Sequence, residues 1–413
     1  MNLEFSTFDI TVEEFHQRRK WARAQGTPRW LWPEIAVERW QEALKVIEQA
    51  LRAVITSGEA PKPLDGDPAV FGLAGYTSGT GPLLGYWLAQ GKISASPPVA
   101  AAFELQFRHN RLRMEKMKRR ASDNVEKLAE QGITATVLKG MHTGLAYFPD
   151  PGTRPATDID LFIGDAVECG RANAMFESEG FVLTHRSPHE HSWRLASVAP
   201  EPRSILLEHA DDPWTIDLHN SLNYVPAAGH RAVRLDDIAT AIPAPSWPAD
   251  ETAKVLPQPI LLLQLATHAG HAFHNLSLLR LVELVLVVRQ DMANGKLQWD
   301  QFVALGRRAG ALGVIYPALH LSEALIPGTI PGAVRAVCRH EAPTGVRKIL
   351  DGLSPATVHH LDRMSVEEHF MWSRGWSGKV RQALHDAFPT LSMPALAAIY
   401  SLRLNALRRR SSW

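Results

Sequence analysis

The apolar and polar positions of the chain follow two periods, which divide it into helical and mixed segments. Residues 10–57 place apolar side chains, several of them tryptophan, at the three- and four-residue spacing of an amphipathic helix. The proline- and glycine-rich residues 58–67 that follow are typical of a linker or an exposed loop. We therefore predict a helical accessory region over residues 1–70.

The central segment combines one long helix with alternating strands. Residues 98–132 predict the helix, which runs into a strand at 134–138, and residues 165–179 predict a second helix. Alternating stretches predict further strands near residues 158–163, 181–185, 192–197, 204–209 and 214–219. This order is typical of an α+β fold. We predict a small mixed sheet flanked by helices over residues 71–242, including the leading long helix.

The C-terminal part returns to helical periodicity. Residues 243–259 are rich in proline, and we expect the chain to leave the sheet there and to continue as a helical domain over residues 243–413. The first helix carries three histidines on one broad side, His268, His271 and His274. Such a set can bind zinc, but histidines at this spacing are more often polar core or interface residues, which is the interpretation we favour.

Two aspartates stand at strand spacing in the centre of the chain. Asp158 and Asp160 point to one face of their strand, while Ile159 and Leu161 point into a core. Two carboxylates held this close repel, which raises the pKa of one of them unless a cation lies between them. Asp217 has the same phase in a later alternating strand, so we expect all three to converge. Magnesium prefers such carboxylate oxygens.

Basic groups precede this acidic strand. Lys139 and Gly140 form a turn between a strand and a helix, where backbone N–H groups can meet phosphate oxygens. Arg154 lies four residues before Asp158, and a guanidinium binds phosphate through two parallel hydrogen bonds. His219 shares the face of Asp217 and is either a proton shuttle or a hydrogen-bond partner of a carboxylate.

In these motifs the chain resembles the uncharacterised nucleotidyltransferase family, whose members carry a Leu-Lys-Gly turn, an Arg-x-x-x-Asp-x-Asp strand and a later Asp-Leu-His strand. The resemblance spans roughly residues 75–288. The family in turn resembles the polymerase-beta-like nucleotidyltransferases, which have Gly-Ser where this chain has Lys139 and Gly140.

The resemblance implies a transferase that moves a nucleoside monophosphate from a nucleoside triphosphate such as ATP to an acceptor. It implies that Mg²⁺ or Mn²⁺ is held by Asp158, Asp160 and Asp217. It implies that the nucleotide is bound by Lys139, Gly140 and Arg154. The acceptor is left open between a small molecule, a peptide and a protein, and nucleic acid is not excluded.

Three other interpretations stay open. The first is a catalytically inactive nucleotidyltransferase fold that serves as a binding or interaction protein. The second is a glycosyltransferase, which also uses an Asp-x-Asp pair but normally has an α/β nucleotide-sugar half upstream, where this chain is helical. The third is a helical interaction protein whose sheet is only a scaffold.

Composition limits the class of protein. Lysine and arginine total 44 against 43 acidic residues, so the net charge of +1 indicates neither a nucleic-acid coat nor a membrane surface. The two cysteines, Cys169 and Cys338, form no disulfide framework and lack zinc-ligand spacing, which favours a reducing, cytoplasmic location. The longest apolar run, residues 276–288, is too short to span a bilayer.

Overall fold

The computed structural model describes residues 12–25, 31–56, 61–197, 209–228, 230–271, 273, 276–358 and 370–388. Helices in these residues are α1 (Val12–Gln25), α2 (Val37–Thr56), α3 (Pro68–Ser78), α4 (Gly81–Ala89), α5 (Pro97–Glu130), α6 (Lys139–Ala146), α7 (Ala166–Ser178), α8 (Asp236–Ala239), α9 (Ile260–His271), α10 (Leu278–Ala293), α11 (Trp299–Arg308), α12 (Leu312–Leu325), α13 (Gly332–Glu341), α14 (Thr344–Leu350) and α15 (Gly375–Ala387). A short 3₁₀ helix covers Pro151–Thr153.

The strands form one seven-stranded sheet. They are β1 (Thr136–Val137), β2 (Asp158–Phe162), β3 (Phe181–Arg186), β4 (Glu190–Leu195), β5 (Thr215–His219), β6 (Ser246–Trp247) and β7 (Asp250–Val255). Their order across the sheet is β3-β4-β5-β2-β1-β7-β6. The β2–β5 and β1–β7 pairs are parallel and the other pairs are antiparallel. The mixed sheet flanked by helices confirms the predicted α+β fold class.

The expectation that the chain leaves the sheet at residue 243 is wrong. The proline-rich stretch contains the hairpin of β6 and β7, and β7 pairs with β1. Residues 250–255 contain no proline, so this strand keeps the backbone N–H groups that the ladder needs. The prolines lie on either side of β7, and the helical segment begins at Ile260. The division into three domains stays a prediction.

The two faces of β2 have different partners. Ile159 and Leu161 are buried in a core with residues of α5 and α7, among them Met117 and Phe176. Phe162 alternates to the opposite face and packs against the larger core that α9, α10 and α12 help to form. The acidic face of β2 is therefore turned toward the helical segment.

Arg113 of α5 holds together the backbone that enters the two acidic strands. Its side chain is 1% exposed and donates to the carbonyls of Ala156 at 3.1 Å and Asp212 at 2.6 Å. These carbonyls precede β2 and β5. Arg113 therefore joins these two segments inside the fold.

Several sequence predictions have direct outcomes. The long helix α5 spans nearly the predicted range. The strand predicted at 134–138 is confined to Thr136–Val137. The strand predicted at 204–209 falls almost entirely outside the described residues. In the described part of the chain, no helix is long and apolar enough to cross a membrane.

Candidate functional site

Three carboxylates come together where β2 and β5 pair. The parallel register places Asp160 opposite Asp217, so both side chains lie on one face, and Asp158 shares that face two residues earlier. One oxygen from each carboxylate lies within 4.8 Å of the other two. The alternation phase of the two strands predicted this convergence.

Of the three acids, Asp160 has the negative charge that neighbouring groups balance best. Its Oδ1 accepts a hydrogen bond from Lys139 Nζ at 2.7 Å and lies 2.8 Å from His219 Nε2. Burial alone would raise the pKa of Asp160, but the Lys139 ammonium and His219 outweigh burial and hold this pKa well below its ordinary value. Asp160 therefore stays ionised inside the fold.

Asp158 and Asp217 lack comparable compensation. Burial and the neighbouring Asp160 raise the pKa of Asp158 above its ordinary value. Burial, followed by the charges of Asp158 and Asp160, raises the pKa of Asp217 to about 6. The repulsion expected from the sequence thus raises the pKa of these two carboxylates and not that of Asp160, because Lys139 already neutralises Asp160.

The donor set fits a hard divalent cation. Asp217 Oδ1 is buried and has no hydrogen-bond partner, which is costly unless a ligand satisfies it. It lies in a group of carboxylate oxygens, which Mg²⁺ and Mn²⁺ prefer over the sulfur and imidazole ligands typical of zinc. A cation would also remove the repulsion that raises the pKa values of Asp158 and Asp217.

Lys139 begins α6 in an unusual backbone conformation. Its φ is 42°, the only left-handed φ found for a non-glycine residue in the described chain, and its side chain is almost fully buried. The glycine that follows has a packing role, since a Cβ on Gly140 would lie 2.2 Å from Nη1 of Arg154. Nucleotide binding by Gly140 stays a prediction.

Arg154 has a different partner from the one predicted. Its guanidinium donates to Glu283 of α10, with Nη2 at 2.9 Å from Oε1 and Nε at 3.1 Å from the same oxygen. Both side chains are less than 5% exposed, and Thr143 of α6 donates to Glu283 as well. The contact fastens the segment before β2 to the helical segment. Nucleotide binding by Arg154 stays a prediction, to which this geometry lends no support.

His219 holds carboxylates in place. Besides its contact with Asp160, its Nδ1 lies 3.5 Å from Oε2 of Glu190 on β4. Of the two alternatives raised for this residue, the geometry supports the hydrogen-bond partner.

Further groups near the acids have no signal in the sequence motifs. Arg280 of α10 is 30% exposed and lies 3.5 Å from Glu283, and its charge acts on Asp158. Tyr224 follows β5, and its ring centroid lies 4.9 Å from that of His271 and 6.0 Å from that of His268. These residues come from segments far apart in sequence, so only the packing of α9 and α10 against the sheet reveals them.

The histidines of α9 do not form a cluster of metal ligands in the described chain, where Asp158, Asp160 and Asp217 are the one such group. Burial, followed by the charges of Lys139 and Arg280, lowers the pKa of His268 well below its ordinary value. His274 lies outside the described residues. The outcome agrees with the interpretation of His268 and His271 as polar packing residues.

We expect Asp217→Asn to stabilise the metal-free protein at pH 8. The pKa of Asp217 rises from 3.8 to about 6 on folding, so the folded state holds its proton longer and stability falls as pH rises from about 4 to 6. The asparagine side chain does not ionise, so the variant does not undergo this loss of folding stability, which we place at about 1–3 kcal/mol. Urea unfolding in EDTA between pH 4 and 8 should show a difference that grows with pH. A variant less stable than wild type at pH 8 would contradict this account.

Comparison with known protein families identifies a match over much of the chain. The family described as uncharacterised nucleotidyltransferase matches residues 76–327, which is more than half of the chain and contains all three aspartates. No curated protein and no solved structure shows significant similarity to the chain.

Proposed function

The chain belongs to the uncharacterised nucleotidyltransferase family, and we propose that it moves a nucleoside monophosphate from a nucleoside triphosphate to an acceptor with the help of a divalent metal ion. The observation that carries the proposal is the set of three carboxylates on the paired strands β2 and β5, one of which has a buried oxygen without a partner.

Asp158, Asp160 and Asp217 would hold Mg²⁺ or Mn²⁺. When bound, the ion would neutralise negative charge on the phosphate oxygens and help to orient them. The ammonium of Lys139 lies against Asp160 and would add a fixed positive charge beside the triphosphate. Arg280 is 30% exposed, its charge acts on Asp158, and it would supply a second positive charge.

Asp217 is suited to take the proton of the acceptor. Its Oδ1 has no hydrogen-bond partner, in contrast to Asp160 Oδ1, which Lys139 and His219 already contact. In the reaction the acceptor oxygen or nitrogen attacks the α-phosphorus, its proton passes to the Asp217 carboxylate, and the bond to pyrophosphate breaks. His219 and Lys139 would keep the neighbouring Asp160 ionised and in place.

The alternative is a fold that binds a partner without catalysis. One observation favours it: Lys139 stands where better-known members have a serine-containing turn, and its ammonium already occupies one oxygen of Asp160. Calorimetric titration with Mg²⁺ and ATP separates the two functions, since an inactive fold should show little metal-dependent heat. Each labelled triphosphate, incubated with the protein, Mg²⁺ and cell extract, should label an acceptor only if the protein is a transferase.

We expect Lys139→Met to weaken ATP binding about 10- to 100-fold when Mg²⁺ does not exceed the nucleotide. The reason is the loss of one charge-assisted contact, which contributes about 1.5–3 kcal/mol. Calorimetry measures the affinity, and circular dichroism verifies that the variant is folded. Lys116→Met is the matched control, because Lys116 also pairs with an aspartate, Asp211, but on the surface. Unchanged affinity in Lys139→Met would assign Lys139 a structural role alone.

A further inference from the structure

The ammonium of Lys139 lies against one member of the set of carboxylates, Asp160. It is 2.7 Å from Asp160 Oδ1, and the lysine is only 8% exposed. Lys139 adopts a left-handed φ of 42°, a conformation that costs a side-chain-bearing residue on the order of 1 kcal/mol. The fold therefore holds this charge in place against local strain.

The acids and the charged residues beside them have a net charge that one divalent ion would neutralise. Asp158, Asp160 and Asp217, together with Glu190, which acts on Asp217, contribute four negative charges. Lys139 removes one of them. Arg154 and Arg280 carry two positive charges, and both contact Glu283, which carries one negative charge. These three residues together contribute one positive charge. A net charge of minus two remains before any nucleotide binds, which one divalent cation neutralises. Without the Lys139 ammonium the net charge would be minus three, which one divalent cation would leave partly uncompensated.

The carboxylate oxygens of the site differ in whether they already have a hydrogen-bond partner. Asp160 Oδ1 already has two partners, Lys139 Nζ and His219 Nε2. Asp217 Oδ1 has none. One side of the acidic set is thus filled by groups of the protein itself, while the other side offers an unpaired oxygen.

From this geometry we infer that the site takes one divalent ion, on the side of Asp158 and Asp217, and that the Lys139 ammonium stands in the place of a second ion. The inference rests on the proposed function and deepens it. Its consequence is that the second positive charge is permanent: it neither dissociates nor depends on the concentration of metal in solution.

The test counts the Mn²⁺ ions bound to the nucleotide-free protein. Free Mn²⁺ gives an electron paramagnetic resonance signal that disappears on binding, so a titration yields the number of tight sites. We expect one ion for wild type and two for Lys139→Met, in which a metal replaces the ammonium beside Asp160. Lys116→Met, the surface control, should bind one. Lys139→Met should also lose stability in EDTA and regain it with Mn²⁺, and excess Mg²⁺ should restore its ATP affinity.

Each result has a distinct meaning. Two ions on wild type would overturn the inference and leave the proposed function standing. One ion on wild type and also on Lys139→Met would overturn it too, because the ammonium would then not occupy a cation position. No ion on wild type would overturn the inference, and the calorimetric titration with Mg²⁺ and ATP would then decide the metal-dependent function separately. If Lys139→Met does not fold, a count of two ions on wild type still overturns the inference.

Discussion

Asp160→Asn is expected to remove metal-dependent nucleotidyl transfer and to destabilise the metal-free protein at the same time. Asp160 lies in the centre of the acidic set, and its charge is the partner of the buried Lys139 ammonium. Loss of one carboxylate ligand should lower product formation about 100-fold or more. Crowding of like charges alone would make the substitution stabilising, but the ion pair reverses the sign, because the amide leaves Lys139 buried without a counter-charge.

We place the loss of stability at about 3 kcal/mol, the low end for breaking a buried ion pair, because asparagine can still accept one hydrogen bond. Urea unfolding at pH 7 in EDTA measures it, and label transfer from each triphosphate measures the activity. Asp217→Asn is the matched variant: it removes a charge from the same set but should raise stability. If both variants shift stability in the same direction, the distinction between the strongly compensated Asp160 and the less compensated Asp217 is wrong.

Glu283→Gln is expected to cost about 3–5 kcal/mol of the free energy of unfolding. Arg154 and Glu283 are both buried and joined by several hydrogen bonds, so removal of one charge leaves the other uncompensated in the interior. Urea unfolding of the full chain gives the measurement.

Two controls isolate the buried charge as the cause. Asp211→Asn breaks the surface pair with Lys116, whose side chains are about half exposed, and should cost less than about 1 kcal/mol. The double variant Arg154→Met with Glu283→Leu should recover much of the loss, since an apolar pair replaces both charges. A Glu283→Gln protein within about 1 kcal/mol of wild type would show that Arg154 finds water or another acceptor.

The sequence predicts the acids well and their surroundings poorly, and the reason is geometric. Alternation fixes the face of each strand residue, so Asp158, Asp160 and Asp217 follow from their phase once β2 and β5 pair. The partner of a buried cation has no such local rule. Glu283 lies 129 residues from Arg154 in sequence, and only the packing of α10 against the segment before β2 brings the two together.

The same limit explains the error at residue 243. Proline marks a place where a ladder loses a donor, and the proline-rich stretch does contain such places. It also contains the six residues of β7, which carry no proline and pair with β1. When composition is averaged over the whole stretch, the prolines outweigh these six residues. The parallel partner, β1, lies more than a hundred residues away, so the local sequence pattern does not indicate it.

The position of β1 between β2 and β7 has a practical consequence for dissecting the protein. A fragment that ends at residue 242 would retain the three aspartates but lack β7, and the N–H and C=O groups on the outer edge of β1 would have no partner. Unprotected edges of this kind recruit strands from other molecules, and such fragments aggregate. The acidic sheet is therefore best expressed and assayed with the chain continuing through β7 and α10.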